Sequence, residues 1–184
     1  LDRIHATYKV IPDPEITLEA NPDDLGHEKL KELKKTGFNR LSIGVQTFDD
    51  QLLKFLNRAH DQHEAIRVYE MARKAGFANI NLDLIYAISE DKRKRLEADI
   101  QQLVVLRPDH ISAYNLTIEP RTVFGNWLKK RKISPVEDDR AALEYEMIEA
   151  ELDKAGYLHY ETSNYALPDH FSRHNLNYWT YGNY

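Results

Sequence analysis

Lys35-Thr36-Gly37-Phe38-Asn39-Arg40-Leu41-Ser42-Ile43-Gly44-Val45-Gln46-Thr47-Phe48 contains one helix end and one strand. The cation meets the negative end of a helix dipole, and Gly37 takes the left-handed position that closes the helix. Phe38 packs as the next strand begins. Residues 40–48 are apolar in near-continuous series, which suits a strand covered on both faces, as in a parallel sheet. The same order of cation, small residue, glycine and aromatic recurs at Lys74-Ala75-Gly76-Phe77 and at Lys154-Ala155-Gly156-Tyr157. A further copy is due near Arg107-Pro108, where proline ends the helix instead.

Further β-rich runs lie outward from this stretch, at 16–20, 80–88 and 110–118. Between the runs the apolar residues follow a helical period: Leu25, Leu30 and Leu33; Leu52, Leu53 and Leu56; Ile66, Tyr69, Met71 and Ala72; Leu96, Ile100 and Leu103. Tandem β–α units mean a barrel or a doubly wound sheet. No glycine-rich phosphate loop follows any strand, which disfavours the nucleotide-binding form of the latter. The expectation is a partial TIM-like barrel over residues 1–156, with a fifth strand near 159–164. Residues 157–184 form a separate C-terminal segment crowded with Tyr, His and Asn.

The 184 residues, 42% apolar and 30% charged, suffice for one core. A net charge of −5 disfavours nucleic acid as a partner. The short run Lys129-Lys130-Arg131-Lys132 reads as a solvated connector. No run reaches the length of a membrane span, and Leu1-Asp2-Arg3-Ile4 is unlike a signal peptide. Cysteine is absent, so the chain offers neither a disulfide nor a thiolate metal site. Its eight histidines form no zinc-type pair on a helix. These features point to the cytoplasm.

In a parallel barrel, chemistry sits where strands end. Here those ends carry Glu19 and Asn21, then Gln46, then Asp83, then Tyr114, Asn115 and Glu119. Two readings fit most of them. Asn21 either meets a ligand or starts a turn before Asp23-Asp24, one of which caps the next helix. Glu19 and Asp83 either face a ligand or pair with Arg40 or Arg58 in a structural ion network. Gln46 beside Gly44 points more firmly to a site, because glycine within a strand marks a close approach to the backbone. The C-terminal histidine and aromatics suit either a planar ligand with an axial metal, such as haem, or a loop packed over the barrel. A hydrolase using Glu19 with Asp83 or Glu119 would need two carboxyl groups about 5 to 9.5 Å apart.

Glu19-Ala20-Asn21-Pro22, the stretch 39–48 and Asn81-Leu82-Asp83-Leu84-Ile85-Tyr86 together resemble the oxygen-independent coproporphyrinogen oxidase family of radical S-adenosylmethionine (SAM) proteins. His110-Ile111-Ser112-Ala113-Tyr114, Thr117-Ile118-Glu119-Pro120 and Tyr160-Glu161-Thr162-Ser163-Asn164-Tyr165-Ala166 are similar to its haem-chaperone branch. So is His174-Asn175-Leu176-Asn177-Tyr178-Trp179, an HNxxYW signature that the true oxidases lack. The resemblance implies a (β/α)6 radical SAM barrel in which Glu19 binds the SAM amino group and Arg58 its carboxylate. Gln46 and Asp83 would meet the adenosyl or methionyl parts. His174 is the implied haem contact, beside Tyr178 and Trp179. SAM and a [4Fe–4S] cluster are the implied cofactors, with haem as cargo or porphyrinogen as substrate; a haem-accepting protein and a second copy of the chain are candidate partners. The family's cysteine motif and glycine-rich SAM segment belong before Leu1, so these residues alone are expected to be catalytically inactive. After Tyr86 the family has a Gly-x-Pro-Gly-like turn, where this chain reads Ala87-Ile88-Ser89-Glu90.

Overall fold

The computed structural model describes residues 1–88 and 93–180. In chain order the elements are α1 (Asp2–Thr7), β1 (Thr17–Ala20), a 3-10 turn (Pro22–Asp24), α2 (His27–Thr36), β2 (Arg40–Gln46), α3 (Asp50–Phe55), α4 (Gln62–Lys74) and β3 (Asn79–Tyr86). There follow α5 (Arg93–Leu106), β4 (His110–Asn115), α6 (Val123–Lys129), α7 (Asp138–Lys154), β5 (Leu158–Glu161), β6 (Asn164–Ala166) and α8 (Arg173–Trp179). The strands form one six-stranded sheet in the order β1-β2-β3-β4-β6-β5. The first four are mutually parallel and β6 runs antiparallel to β4. The fifth strand expected near 159–164 is therefore a hairpin, β5 turning directly into β6. A turn this short cannot make the crossover that a parallel strand needs.

The repeated glycines act as expected. Gly37, Gly76 and Gly156 have φ of 107°, 92° and 87° and close α2, α4 and α7. The aromatics that follow Gly76 and Gly156, Phe77 and Tyr157, are fully buried. At the remaining copy Arg107 itself takes the left-handed position, with φ of 50°, before Pro108. Neither Asp23 nor Asp24 caps α2, whose N-cap is Gly26; both lie in the 3-10 turn that Asn21 begins.

The two faces of the sheet differ. Leu41, Ile43, Ile80, Leu82, Leu84 and Ile111 are almost completely buried against Leu30, Val68, Ala72, Ile100, Leu103, Ile148 and Leu152 of the helices. The alternating positions Ser42, Asn81, Asp83, His110 and Ser112 turn to the other face and bond one another. The strands are thus covered on both faces, but one of those faces is polar. At the opposite end from the candidate site, Asp109 Oδ2 accepts the Ile80 amide at 2.8 Å and lies 2.6 Å from Arg73 Nη1. No helix among the described residues is long and apolar enough to cross a membrane.

Candidate functional site

The end of β2 is strained. Gln46 has φ of 70°, and the Thr47 amide donates to the Val45 carbonyl at 2.9 Å, closing a three-residue turn of the rarer sign. Asp99 of α5 holds the residues that follow: the Thr47 hydroxyl and the Phe48 amide each donate to its carboxylate at 2.7 Å. Burial pushes the Asp99 carboxyl up to about 6 against the pull of those two bonds. His60 Nε2 donates to the same Val45 carbonyl at 3.2 Å.

This turn folds the Gln46 amide back over Gly44. A Cβ at Gly44 would lie 2.7 Å from Gln46 Nε2 and 3.5 Å from Asn21 Oδ1, so any side chain there would push the Gln46 amide aside. Asn21 in turn accepts from Arg58 Nη1 at 2.9 Å and donates to Asp24 Oδ2 at 3.2 Å. Asn21 thus begins a turn, as one of its two readings has it, and its side chain also lies beside the β2 mouth. Gln46 and Arg58 are brought together through it.

Asp83 sits on the polar face beside that mouth. Asn81 Nδ2 donates to its Oδ1 at 2.6 Å, and Ser42 Oγ at 3.4 Å. Burial raises its carboxyl to about 6; Asn81 opposes the shift, the negative charge of Glu19 adds to it, and Arg40 and Ser42 oppose it. Glu19 itself is exposed, in register with Ser42. Among the described residues neither carboxylate makes an ion pair within 4.0 Å with Arg40 or Arg58, so the structural ion network is not formed. Beyond Asn81 the polar network continues through His110 Nδ1 at 2.6 Å, and from His110 Nε2 to the Tyr160 hydroxyl at 2.6 Å. Burial drives His110 down to about 3, so it is neutral at physiological pH. Asn81 gives its hydrogens to Ser42 and Asp83, so its oxygen faces His110; Nδ1 donates and Nε2 accepts from Tyr160.

Tyr160 also accepts the Ser172 amide at 3.3 Å and stacks on Phe171 at 4.6 Å. Ser172 caps α8, the helix that carries the C-terminal candidates. His174 and Tyr178 are one turn apart on it, their rings edge to face at 5.1 Å, and Tyr178 and Trp179 are exposed. A cavity of about 590 Å³ is lined by Thr17, Glu19, Arg173, His174 and Asn177. The haem candidate and one SAM candidate thus share a cavity between β1 and α8. Glu119 lies apart, exposed in the loop after β4, where its carbonyl accepts from Thr122.

Residues 1–103 match the family model of the radical SAM superfamily. The chain belongs to that superfamily. It is 41% identical to the haem chaperone HemW of Bacillus subtilis over 98% of its own length, and 39% identical to that of Escherichia coli over 100%. It spans about half the length of these curated relatives, 48% in each case. Among solved structures, E. coli coproporphyrinogen III oxidase (HemN), a radical SAM enzyme, superposes with a TM-score of 0.79 and 26% identity, covering 97% of this chain and 41% of that one. Archaeal Elp3 of Methanocaldococcus infernus, 18% identical with a TM-score of 0.65 over 73% of this chain and 32% of its own, shares the fold. The fold is accordingly the partial TIM-like barrel of the radical SAM superfamily.

Membership implies SAM and an iron–sulfur cluster as cofactors. The mouth fits SAM: an exposed carboxylate at Glu19, a guanidinium at Arg58, a desolvated carboxylate at Asp83, and the room that Gly44 leaves. Nothing in these 184 residues fits the cluster, because no cysteine is present to supply a thiolate. Among the described residues no three His, Asp or Glu side chains gather as a metal site.

The residues whose part sequence reading missed are Ser42, Asn81, His110, Ser112 and Tyr160, each quoted only within a motif, and Asp99. Ser42, Asn81, His110 and Ser112 show in the alternation of polar with apolar residues along β2, β3 and β4, whereas Tyr160 lies on β5. Asp99 lies between Leu96, Ile100 and Leu103 on the buried stripe of α5, where an acid needs a partner.

Proposed function

We propose that this chain is the SAM-binding and haem-carrying part of a cytoplasmic haem chaperone. The supporting observation is the placement of the HNxxYW signature on α8, which sets His174 in the cavity that Glu19 also lines. In this reading His174 would contact the haem through its imidazole, and Tyr178 and Trp179 would offer flat apolar surface to the macrocycle. Residues 157–184 then begin the cargo-carrying segment beside the barrel of residues 1–156.

The four mouth residues take SAM between them. Glu19 accepts the amino group, Arg58 pairs with the carboxylate, and Gln46 and Asp83 meet the adenosyl or methionyl parts, Asp83 being suited to a ribose hydroxyl pair. SAM supplies radical chemistry when a [4Fe–4S] cluster, its ligands outside these residues, provides the electron. The 39–41% identity to the two haem chaperones named above favours cargo transfer over porphyrin oxidation.

Oxygen-independent coproporphyrinogen III oxidation is the second reading, favoured by the overlap with the E. coli oxidase. A haem titration on the full-length protein, followed at the Soret band, tests the choice. Saturable binding that is lost in His174→Ala is expected. Binding indifferent to that substitution, with porphyrinogen consumed, would transfer the assignment to the oxidase.

A further inference from the structure

Two strand ends at the mouth share a feature that glycine would ordinarily supply. Gln46 at the end of β2 and Ala87 just after β3 have φ of 70° and 56°, in the region that side chains disfavour. Such conformers persist only where surrounding groups over-determine them. In each case a buried acid does so, and in each case it comes from the helix one unit further along the barrel.

Asp99 of α5, the helix after β3, takes the Thr47 hydroxyl and the Phe48 amide behind Gln46. One turn before it, Arg95 Nη1 lies 2.5 Å from Oδ1 of Asp49, the residue that caps α3. Glu144 of α7, the helix after β4, accepts the Ala87 amide at 2.9 Å on Oε2 and Arg140 Nε at 3.0 Å on Oε1. Asp99 and Glu144 are 3% and 4% exposed and face a common cavity of about 20 Å³.

We propose that Asp99 and Glu144 are paired positioning residues, each holding the left-handed backbone at one strand end so that the β2 and β3 turns present a fixed wall to SAM. Asp99 acts through Gln46; Glu144 acts through Ala87, where the turn leaves β3 three residues beyond Leu84 and four beyond Asp83. The inference rests on the SAM reading above. The charged and titratable groups around Asp99 are Asp49 of the α3 cap, Arg95 of α5, Tyr86 of β3 and Glu144 of α7. A purely packing role is disfavoured because both acids accept from backbone amides at the strained turns.

The test uses the full-length protein, SAM itself as titrant, and hydrogen exchange without ligand. Asp99→Ala is expected to release the Phe48 amide about tenfold or more, and Glu144→Ala the Ala87 amide, each with little effect on the other. SAM affinity is expected to fall about tenfold in Asp99→Ala and to recover in part in the isosteric Asp99→Asn, whose remaining oxygen still accepts from Phe48. In a Gln46→Ala background, Asp99→Ala is expected to add less than about twofold, as two residues acting through one contact do. Leu103→Ala, on the same helix, should destabilise the protein and leave SAM affinity unchanged. Unchanged affinity in Asp99→Ala, or a full additional loss over Gln46→Ala, would overturn the proposal. If the unsubstituted protein bound no SAM, the cofactor reading would fall, whereas release of the two amides would still establish the clamps.

Discussion

Asp83→Asn should make the protein more stable and bind SAM less well. The folded-state carboxyl of Asp83 stands at about 6, against 3.8 for the free group, with burial the largest cause. An acid raised by folding contributes stability that is complete below about pH 3.8 and is lost as the pH rises through about 6. Two units correspond to about 3 kcal/mol, at roughly 1.4 kcal/mol per unit. Asp83 keeps some solvent contact, so about 1–3 kcal/mol is the fair range. The amide is isosteric, and its oxygen can still accept from Asn81 Nδ2 and Ser42 Oγ. The variant should therefore match the unsubstituted protein near pH 4 and exceed it by about 1–3 kcal/mol at pH 7.5. Asp99 also titrates near 6, so the raw slope of either protein mixes two groups; the difference between them isolates Asp83. Urea unfolding at half-unit steps from pH 4 to 8 measures it. A difference that stays flat with pH, or a variant less stable at pH 7.5, would refute the desolvation account. Stability gained where ligand affinity is lost is the trade expected of a binding residue.

Two other substitutions probe the same region. Gly44→Ala places a Cβ 2.7 Å from Gln46 Nε2, so the amide must move; SAM affinity should drop several-fold while the urea midpoint changes little, as calorimetric titration beside denaturation will show. Tyr160→Phe keeps the stack on Phe171 but removes the donor to His110 and the acceptor for Ser172, which should cost about 1–3 kcal/mol in denaturant unfolding.

The βα repeat was legible because it is written in local chemistry. Gly37, Gly76 and Gly156 sit where a backbone must turn left-handed, and the apolar runs before and after them have unambiguous periods. The polar inner face was partly legible: Arg40, Ser42 and Gln46 alternate with Leu41, Ile43 and Val45, yet continuous burial of β2 masks the alternation. Gln46 and Ala87 carry no local signal at all, since neither residue favours a positive φ; their conformations are imposed by Asp99 and Glu144 from distant helices. Arg107 likewise takes a glycine's conformation in the missing copy of the repeat. Helix α8 is seven residues capped by Ser172, too short for a period to declare itself, and its Asn and His residues have modest helix propensity. Residues Ser89 and Glu90 of the altered turn after Tyr86 lie outside the described residues.

The polar inner face argues for the location of the ligand independently of any likeness. Layers of branched apolar side chains would fill a barrel of this kind at lower desolvation cost. Here a hydrogen-bond chain runs from the Ser172 amide through Tyr160, His110 and Asn81 to Asp83, each donor meeting one acceptor. A chain satisfied along its length specifies geometry and costs little. At its end both bonds to Asp83 fall on Oδ1, and the buried Arg40 Nε has no hydrogen-bond partner among the described residues. Arg40 begins β2, at the end of the strand away from the mouth, whereas Asp83 lies on the polar face beside it, where a ligand hydroxyl would complete its carboxylate. The carboxylate end of this chain, beside Gln46 and Gly44, is therefore the place where a ligand hydroxyl would gain most.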